Sequence, residues 1–168
     1  PSDVGSATAA LGALSAGDAF GMALGRPKDL NGDGVVDLAV GASGDDAGGS
    51  ASGAIYVLFL NSDGTVASQQ KISATSGGGE FIEPGMFFGR SISHLGYFDE
   101  TGGADLLVSS PITNDGGWVW FLFLNEDGTV RSHIEYDTEE LDIFPTFQTG
   151  IATSVCDLND LDGDCLLY

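Results

Sequence analysis

Positively charged residues are scarce in this chain. Only 5 lysines and arginines stand against 25 aspartates and glutamates, which gives a formal net charge of −20 at pH 7. Nucleic acids and anionic membranes are bound through patches of Lys and Arg. The composition therefore argues against both partners, and it suits a protein that meets divalent cations or high salt.

Long hydrophobic runs and cysteines are also few. The longest apolar runs, such as 118–124, are much too short to span a bilayer, so we expect no membrane insertion. Cys156 and Cys165 allow one disulfide but do not require it. Because the chain starts at Pro1 rather than Met, we expect a processed or excised piece, in which a missing targeting signal carries little information.

Proline is infrequent, with 5 residues, whereas glycine is abundant, with 26. The hydrophobic content of 42% is ordinary for a globular domain. These proportions favour a turn-rich β protein over a disordered chain. A chain of 168 residues is long enough for one domain with its own core.

An acidic loop at residues 29–37 is the most informative stretch. Side chains that carry oxygen alternate there, and two glycines let the backbone turn sharply. Three carboxylates within nine residues would repel one another without a counter-ion, and calcium prefers six to eight oxygen ligands. We therefore predict a calcium site formed by the side chains of Asp29, Asn31, Asp33 and Asp37 and the backbone carbonyl of Val35.

The loop differs from an EF-hand. An EF-hand needs a glutamate at its twelfth position and a helix on each side, but the twelfth residue here is Val40. Pro27 interrupts the approach to the loop, and the apolar run 38–42 is typical of a buried strand. The loop is therefore expected to join two strands. A turn without metal remains the alternative, because Asp, Asn and Gly favour turns anyway.

The chain also contains an internal repeat. The segment 59–66 (FLNSDGTV) is almost identical to 123–130 (FLNEDGTV), and each follows an apolar run and precedes a further strand pattern. Asp-Gly turns between apolar runs predict hairpins, and a strand apolar at every position must be covered on both faces. Four short strands in each unit predict β-propeller blades. The expected divisions are a lead-in at 1–16, blades at 17–85 and 86–146, and the start of a third blade at 147–168.

The motifs resemble a known family. Each complete unit has a Phe-Gly pair near its first strand and a small-residue motif after its second, as follows: Phe20-Gly21 with Gly41-Ala42-Ser43, and Phe88-Gly89 with Ser109-Ser110-Pro111. This pattern resembles the FG-GAP repeats of integrin α-chain propellers, and the strand-turn form looks like their bacterial and environmental branch. The resemblance covers about residues 17–168. Because such propellers usually have seven blades, we expect a part of a larger protein or copies that assemble side by side.

The resemblance implies that calcium binds the loop between the first two strands, at Asp29, Asn31, Asp33 and Asp37. In the second unit, Asp105 corresponds to Asp37, but Tyr97 and Thr101 replace two of the ligands. Weak binding or none is expected there. The third unit offers an incomplete, weak second site at Asp160, Asp162 and Asp164. Tyr168 stands at the position that corresponds to Asp37, the aspartate that closes the first loop.

No catalytic constellation is apparent. His94 and His133 lie in no metal or triad motif, and the acidic run 137–142 is more typical of a solvated loop than of paired catalytic carboxylates. Trp118 and Trp120 are expected on opposite faces of one strand, with a role in core packing.

The leading hypothesis is a non-enzymatic, calcium-binding extracellular β-propeller module for adhesion or protein–protein assembly. A subunit of a cell-surface fibre, in which copies cover each other's blade faces, is a variant of this hypothesis. The alternative is an accessory propeller of a secreted hydrolase or lyase whose catalytic residues lie elsewhere. A catalytic domain in the parent sequence would favour the alternative, and further repeats followed by an anchor would favour adhesion.

Overall fold

The computed structural model describes residues 14–95, 104–111, 116–138 and 154–156. Its eight strands form two four-stranded sheets, and no helix occurs within these ranges. The first sheet, blade 1, contains β1 (Phe20–Gly25), β2 (Leu38–Ala42), β3 (Ala54–Leu60) and β4 (Val66–Ser73). The second sheet, blade 2, contains β5 (Ser91–His94), β6 (Asp105–Ser110), β7 (Trp118–Leu124) and β8 (Val130–Asp137).

Each blade is an antiparallel meander in which neighbouring strands in sequence are neighbours in the sheet. This topology confirms the prediction of an all-β chain built from four-stranded propeller blades. The starting segment of a third blade, 147–168, lies almost entirely outside the described residues. So do the degenerate loop at 96–103 and the weak second site at Asp160, Asp162 and Asp164.

The two Asp-Gly turns have the same hydrogen bonds. In blade 1, the amide and the hydroxyl of Thr65 both donate to Asp63 Oδ1, at 3.0 and 2.6 Å, and Asn61 Nδ2 donates to Thr65 Oγ1 at 3.0 Å. In blade 2, Asn125, Asp127 and Thr129 repeat these bonds. The hydroxyl and amide of each threonine hold the pKa of the aspartate below its ordinary value. The repeated sequence therefore gives a repeated turn.

The main core lies between the blades. Side chains of β3 that point towards blade 2, such as Ile55 and Val57, are completely buried against residues of β6 and β7, such as Trp120. Phe88 and Trp120 pack edge to face, with ring centroids 5.2 Å apart. The opposite face of blade 1 carries a smaller cluster centred on Tyr56. Strand β3 is thus covered on both faces, as its uninterrupted apolar sequence predicts.

The Phe-Gly motif of blade 2 contacts blade 1, and its position relative to the first strand differs from that of the motif in blade 1. Phe20 and Gly21 are part of β1, whereas β5 begins only at Ser91. Phe88 instead forms a parallel bridge with Gly53. A Cβ atom built on Gly41 would lie 2.1 Å from the carbonyl oxygen of Gly89. The motif Gly41-Ala42-Ser43 of blade 1 therefore meets the motif Phe88-Gly89 of blade 2 where the two blades pack together.

The prediction for the two tryptophans is wrong. Trp118 and Trp120 lie on the same face of β7 and stack with ring centroids 6.1 Å apart. Side chains two positions apart in a strand share a face, because the strand repeats every two residues. Both rings do pack against the core between the blades, so the expected role in packing is confirmed.

Candidate metal centre

The acidic loop connects β1 to β2 at the edge of blade 1. The amide of Asp37 donates to the carbonyl of Lys28 at 2.7 Å, which closes the loop at its base. Gly32 and Gly34 have φ angles of +74° and +87°, and only glycine adopts such angles at little cost. A strand–loop–strand setting, without flanking helices, is what the sequence predicts.

The first three predicted ligands form one hydrogen-bonded network. The amide of Asp33 donates to Asp29 Oδ1 and to Asn31 Oδ1, both at 3.0 Å, and the amide of Gly34 donates to Asp29 Oδ2 at 2.8 Å. Asp33 Oδ1 accepts from the amide of Val35 at 2.8 Å, and Asn31 Nδ2 donates to Asp33 Oδ2 at 3.1 Å. The loop therefore folds around its own side-chain oxygens.

Asp37 has a different environment from the other three. Its side chain is only 1% exposed. Asp37 Oδ2 accepts from the amide of Leu30 at 2.9 Å, and Oδ1 accepts from the amide of Leu60, the last residue of β3, at 3.1 Å. The sequence predicts Asp37 only as a metal ligand. In this structure its carboxylate joins the loop to the end of β3.

The aspartate that corresponds to Asp37 in blade 2 is Asp105, at the start of β6, and it is also completely buried. In that blade the residues at the positions of Asp29 and Asp33 are Tyr97 and Thr101. The buried aspartate at the end of the loop is thus present in both copies, although the second copy lacks the carboxylates of Asp29 and Asp33 and has Asp99 in place of Asn31. This comparison within one chain indicates that the closing aspartate has a structural role of its own.

The donor set fits a hard divalent cation in its chemistry. Three carboxylates and one amide provide only oxygen ligands, as calcium requires. A carboxylate oxygen that accepts one hydrogen bond keeps further lone pairs. However, no three Asp, Glu, His or Cys side chains in the described ranges are grouped so that they could hold a metal ion. The structure thus brings Asp29, Asn31 and Asp33 into one hydrogen-bonded network, but it does not arrange the acidic side chains of the loop as a metal-binding group.

A second polar cluster, which sequence reasoning missed, lies on the other face of blade 1. Lys71 Nζ on β4 is 2.7 Å from Oδ2 of the buried Asp45, and the hydroxyl of Tyr56 donates to the same oxygen at 3.3 Å. The ammonium also lies 5.3 Å from the centre of the Tyr56 ring. The pairing of β3 with β4 places Lys71 opposite Tyr56, and Asp45 reaches both residues from the loop between β2 and β3.

The same cluster shifts two pKa values. Burial raises the pKa of Tyr56 above its ordinary value of 10.0, against the lowering effect of Lys71. Burial by itself lowers the pKa of Lys71, but hydrogen bonds and the charge of Asp45 outweigh it, so that the pKa lies above 10.5. A group whose pKa is raised on folding stabilises the protein below its unfolded pKa, and this stabilisation is lost as the pH rises through the folded pKa.

We therefore expect alkaline destabilisation that depends on Tyr56 and Lys71 together. As the pH rises above about 10, where unfolded Tyr and Lys begin to lose their protons, the free energy of unfolding in urea should fall more for the wild type than for the double variant Tyr56→Phe/Lys71→Met. Both residues are replaced because Lys71 lowers the pKa of Tyr56, so that its removal alone would raise that pKa further. The exposed Tyr136 provides a control, since Tyr136→Phe should follow the wild type. Equal slopes for the wild type and the double variant would contradict the role given to this cluster.

The histidines and Cys156 are not part of either cluster. The ring of His133 on β8 stacks on Phe81 at a centroid distance of 4.0 Å, and His94 lies in β5 opposite Leu106. Cys156 is exposed, and its candidate partner Cys165 lies outside the described residues. The described part of the chain contains no helix long and apolar enough to cross a membrane.

Comparison with known proteins agrees with this architecture. The family model described as "FG-GAP repeat" matches residues 20–58, which include β1, the acidic loop, β2 and most of β3. Integrin alpha-PS5 of Drosophila melanogaster is 34% identical over 116 residues, which are 68% of this chain and 11% of that protein. The chain thus corresponds to a small part of this relative. Together with the two four-stranded sheets, these matches show that the chain belongs to the FG-GAP repeat family of integrin α-like β-propellers.

Proposed function

We propose that this chain is a calcium-stabilised, non-catalytic extracellular propeller module that takes part in adhesion or protein–protein assembly. The observation that carries the proposal is the hydrogen-bonded network of Asp29, Asn31 and Asp33, in a loop at the edge of a blade whose candidate ligand atoms are all oxygens. The similarity to an integrin α chain supports an extracellular role and a protein partner. The excess of acidic residues supports a role for divalent cations.

Calcium would supply the positive charge that the loop lacks. The side chains of Asp29, Asn31, Asp33 and Asp37 and the carbonyl of Val35 would hold it. The amides of Asp33 and Gly34 orient the Asp29 carboxylate, and the amide of Val35 orients that of Asp33. Since the ordered loop would bind the ion better than the unfolded chain, the ion would stabilise the folded blade by linkage.

The outer face of blade 2 supports an interaction through blade faces. Ile134 and Tyr136 on β8 are 44% and 46% exposed, and Tyr136 packs edge to face on Phe121 at 5.7 Å. At the position of Tyr136, blade 1 has Ile72, which is completely buried because blade 2 covers it. The same face of blade 2 would thus accept a further blade, another copy of the chain or a protein partner.

Thermal unfolding tests the calcium site. At a calcium concentration about 100 times the dissociation constant, linkage predicts about 2.7 kcal/mol of stabilisation. We expect calcium to raise the melting temperature of the wild type relative to chelator, with a smaller effect of magnesium, which demands stricter octahedral geometry. Asp33→Ala should abolish the rise.

A matched control for this experiment is Asp63→Ala. Asp63 is also an exposed aspartate that accepts hydrogen bonds within its own turn, but it lies outside the acidic loop. Its substitution should leave the calcium-dependent rise unchanged. Coincident melting curves in calcium, magnesium and chelator would show that the loop is only a turn and would refute the proposal.

A further inference from the structure

Two residues of the acidic loop have contacts outside the loop. Leu30 is 4% exposed, and it belongs to the apolar cluster that fills the space between the two blades. The carboxylate of Asp37 accepts a hydrogen bond from the amide of Leu60 at the end of β3, 23 residues further along the chain. One residue thus connects the loop to the core between the blades, and the other connects it to the β3–β4 hairpin of its own blade.

The end of β3 in turn lies against the hairpin turn of blade 2. A Cβ atom built on Gly128, in the turn 125–129, would lie 3.2 Å from Phe59 Cζ, 3.3 Å from Val57 Cβ and 3.0 Å from Gln70 Cβ. Phe59 immediately precedes Leu60, and the register of β3 with β4 shifts between these two residues. A continuous set of contacts therefore runs from Asp37 through Leu60 and Phe59 to the turn of blade 2, and Leu30 belongs to the same apolar cluster as Phe59.

We propose that Leu30 and Asp37 couple ion occupancy of the acidic loop to the packing of blade 2 on blade 1. This inference rests on the calcium binding proposed above. The backbone position of residue 30 decides whether its side chain enters the inter-blade core, and the position of residue 37 decides whether the Leu60 amide has an acceptor. An ion that prefers the ordered loop therefore also favours the state in which both contacts are made.

Hydrogen–deuterium exchange on the whole chain, with and without calcium, tests the coupling, while calorimetry measures calcium binding separately. We expect calcium to slow amide exchange in the loop, at the end of β3 and in the turn 125–129. The slowing in blade 2 should be about fivefold or more, the lower end of the usual range for coupled sites. Calorimetric binding with protection confined to residues 29–37 would overturn the coupling and leave the proposed function standing. Absence of calorimetric binding would overturn both.

Leu30→Ala separates the coupling from ligand binding, because it keeps every proposed calcium ligand. In this variant calcium should still protect the loop, but the added protection of residues 125–129 should be clearly smaller than in the wild type, because only the connection through Asp37 remains. By reciprocity, calcium affinity should fall by the factor by which the coupling is reduced. Val36→Ala is the matched control, since Val36 lies in the same loop with its side chain 40% exposed, and it should behave as the wild type.

If Leu30→Ala does not fold, Leu30→Val makes the same comparison with a smaller loss of side-chain volume. The expected result is then a smaller reduction of the calcium effect in the turn of blade 2 than in Leu30→Ala. Full protection of residues 125–129 in either variant would overturn the role of Leu30.

Discussion

Gly41→Ala should lower the free energy of unfolding by about 3 kcal/mol or more, at the upper end of the usual cost of overpacking. The added Cβ atom would lie 2.1 Å from the carbonyl oxygen of Gly89 and 3.1 Å from Ala23 Cβ. A backbone carbonyl cannot rotate away as a long side chain can, so blade 2 would have to move off blade 1. Equilibrium unfolding in urea, monitored by tryptophan fluorescence, measures the loss.

Gly17→Ala is the control for this substitution. A Cβ atom on Gly17 would meet nothing within 4 Å, and its φ angle, like that of Gly41, lies outside the left-handed region. The change should therefore alter stability by no more than about 0.5 kcal/mol. Equal stability of the two variants would contradict the close packing of the Gly41 and Gly89 backbones.

Asp37→Ala should destabilise the protein by about 3 kcal/mol even in the presence of a chelator. The substitution leaves the amides of Leu30 and Leu60 without the carboxylate that accepts from both, at a site only 1% exposed. Each buried donor that loses its partner costs about 1–3 kcal/mol. Chemical denaturation in chelator measures this effect free of any contribution from calcium.

Asp33→Ala is the comparison that distinguishes the structural from the ligand role. The Asp33 side chain makes its hydrogen bonds on the exposed side of the loop, so its removal in chelator should cost less than about 1 kcal/mol. Both variants should lose the calcium-dependent stabilisation. Equal stability of Asp37→Ala and Asp33→Ala in chelator would show that Asp37 acts only through the ion.

The strands could be predicted from particular stretches of sequence. Residues 54–60 are apolar at every position, and the structure covers both faces of that strand. The repeated FLN-x-DGTV segment predicts two equal hairpins, and the same threonine–aspartate bonds occur in both. Such features are local, because they depend on side-chain period and turn chemistry within a few residues.

The candidate site could be predicted only in part. The spacing of Asp29, Asn31 and Asp33 identifies the loop, and their short-range hydrogen bonds follow from that spacing. The second partner of Asp37 is the amide of Leu60, which nothing near residue 37 reveals. The pair Asp45–Lys71 spans 26 residues and joins the loop between β2 and β3 to β4, so it depends on the pairing of all three strands.

The sequence by itself determined that this is an all-β chain of repeated four-stranded units with an oxygen-rich loop at residues 29–37, because apolar period, Asp-Gly turns and the spacing of Asp and Asn residues are local properties. Tertiary structure alone decided how the copies meet. It places Gly41 against Gly89, Leu30 in the core between the blades, and Asp37 between the loop and β3. The physical reason is that these contacts join residues distant along the chain, and their geometry exists only once one blade has packed on the other.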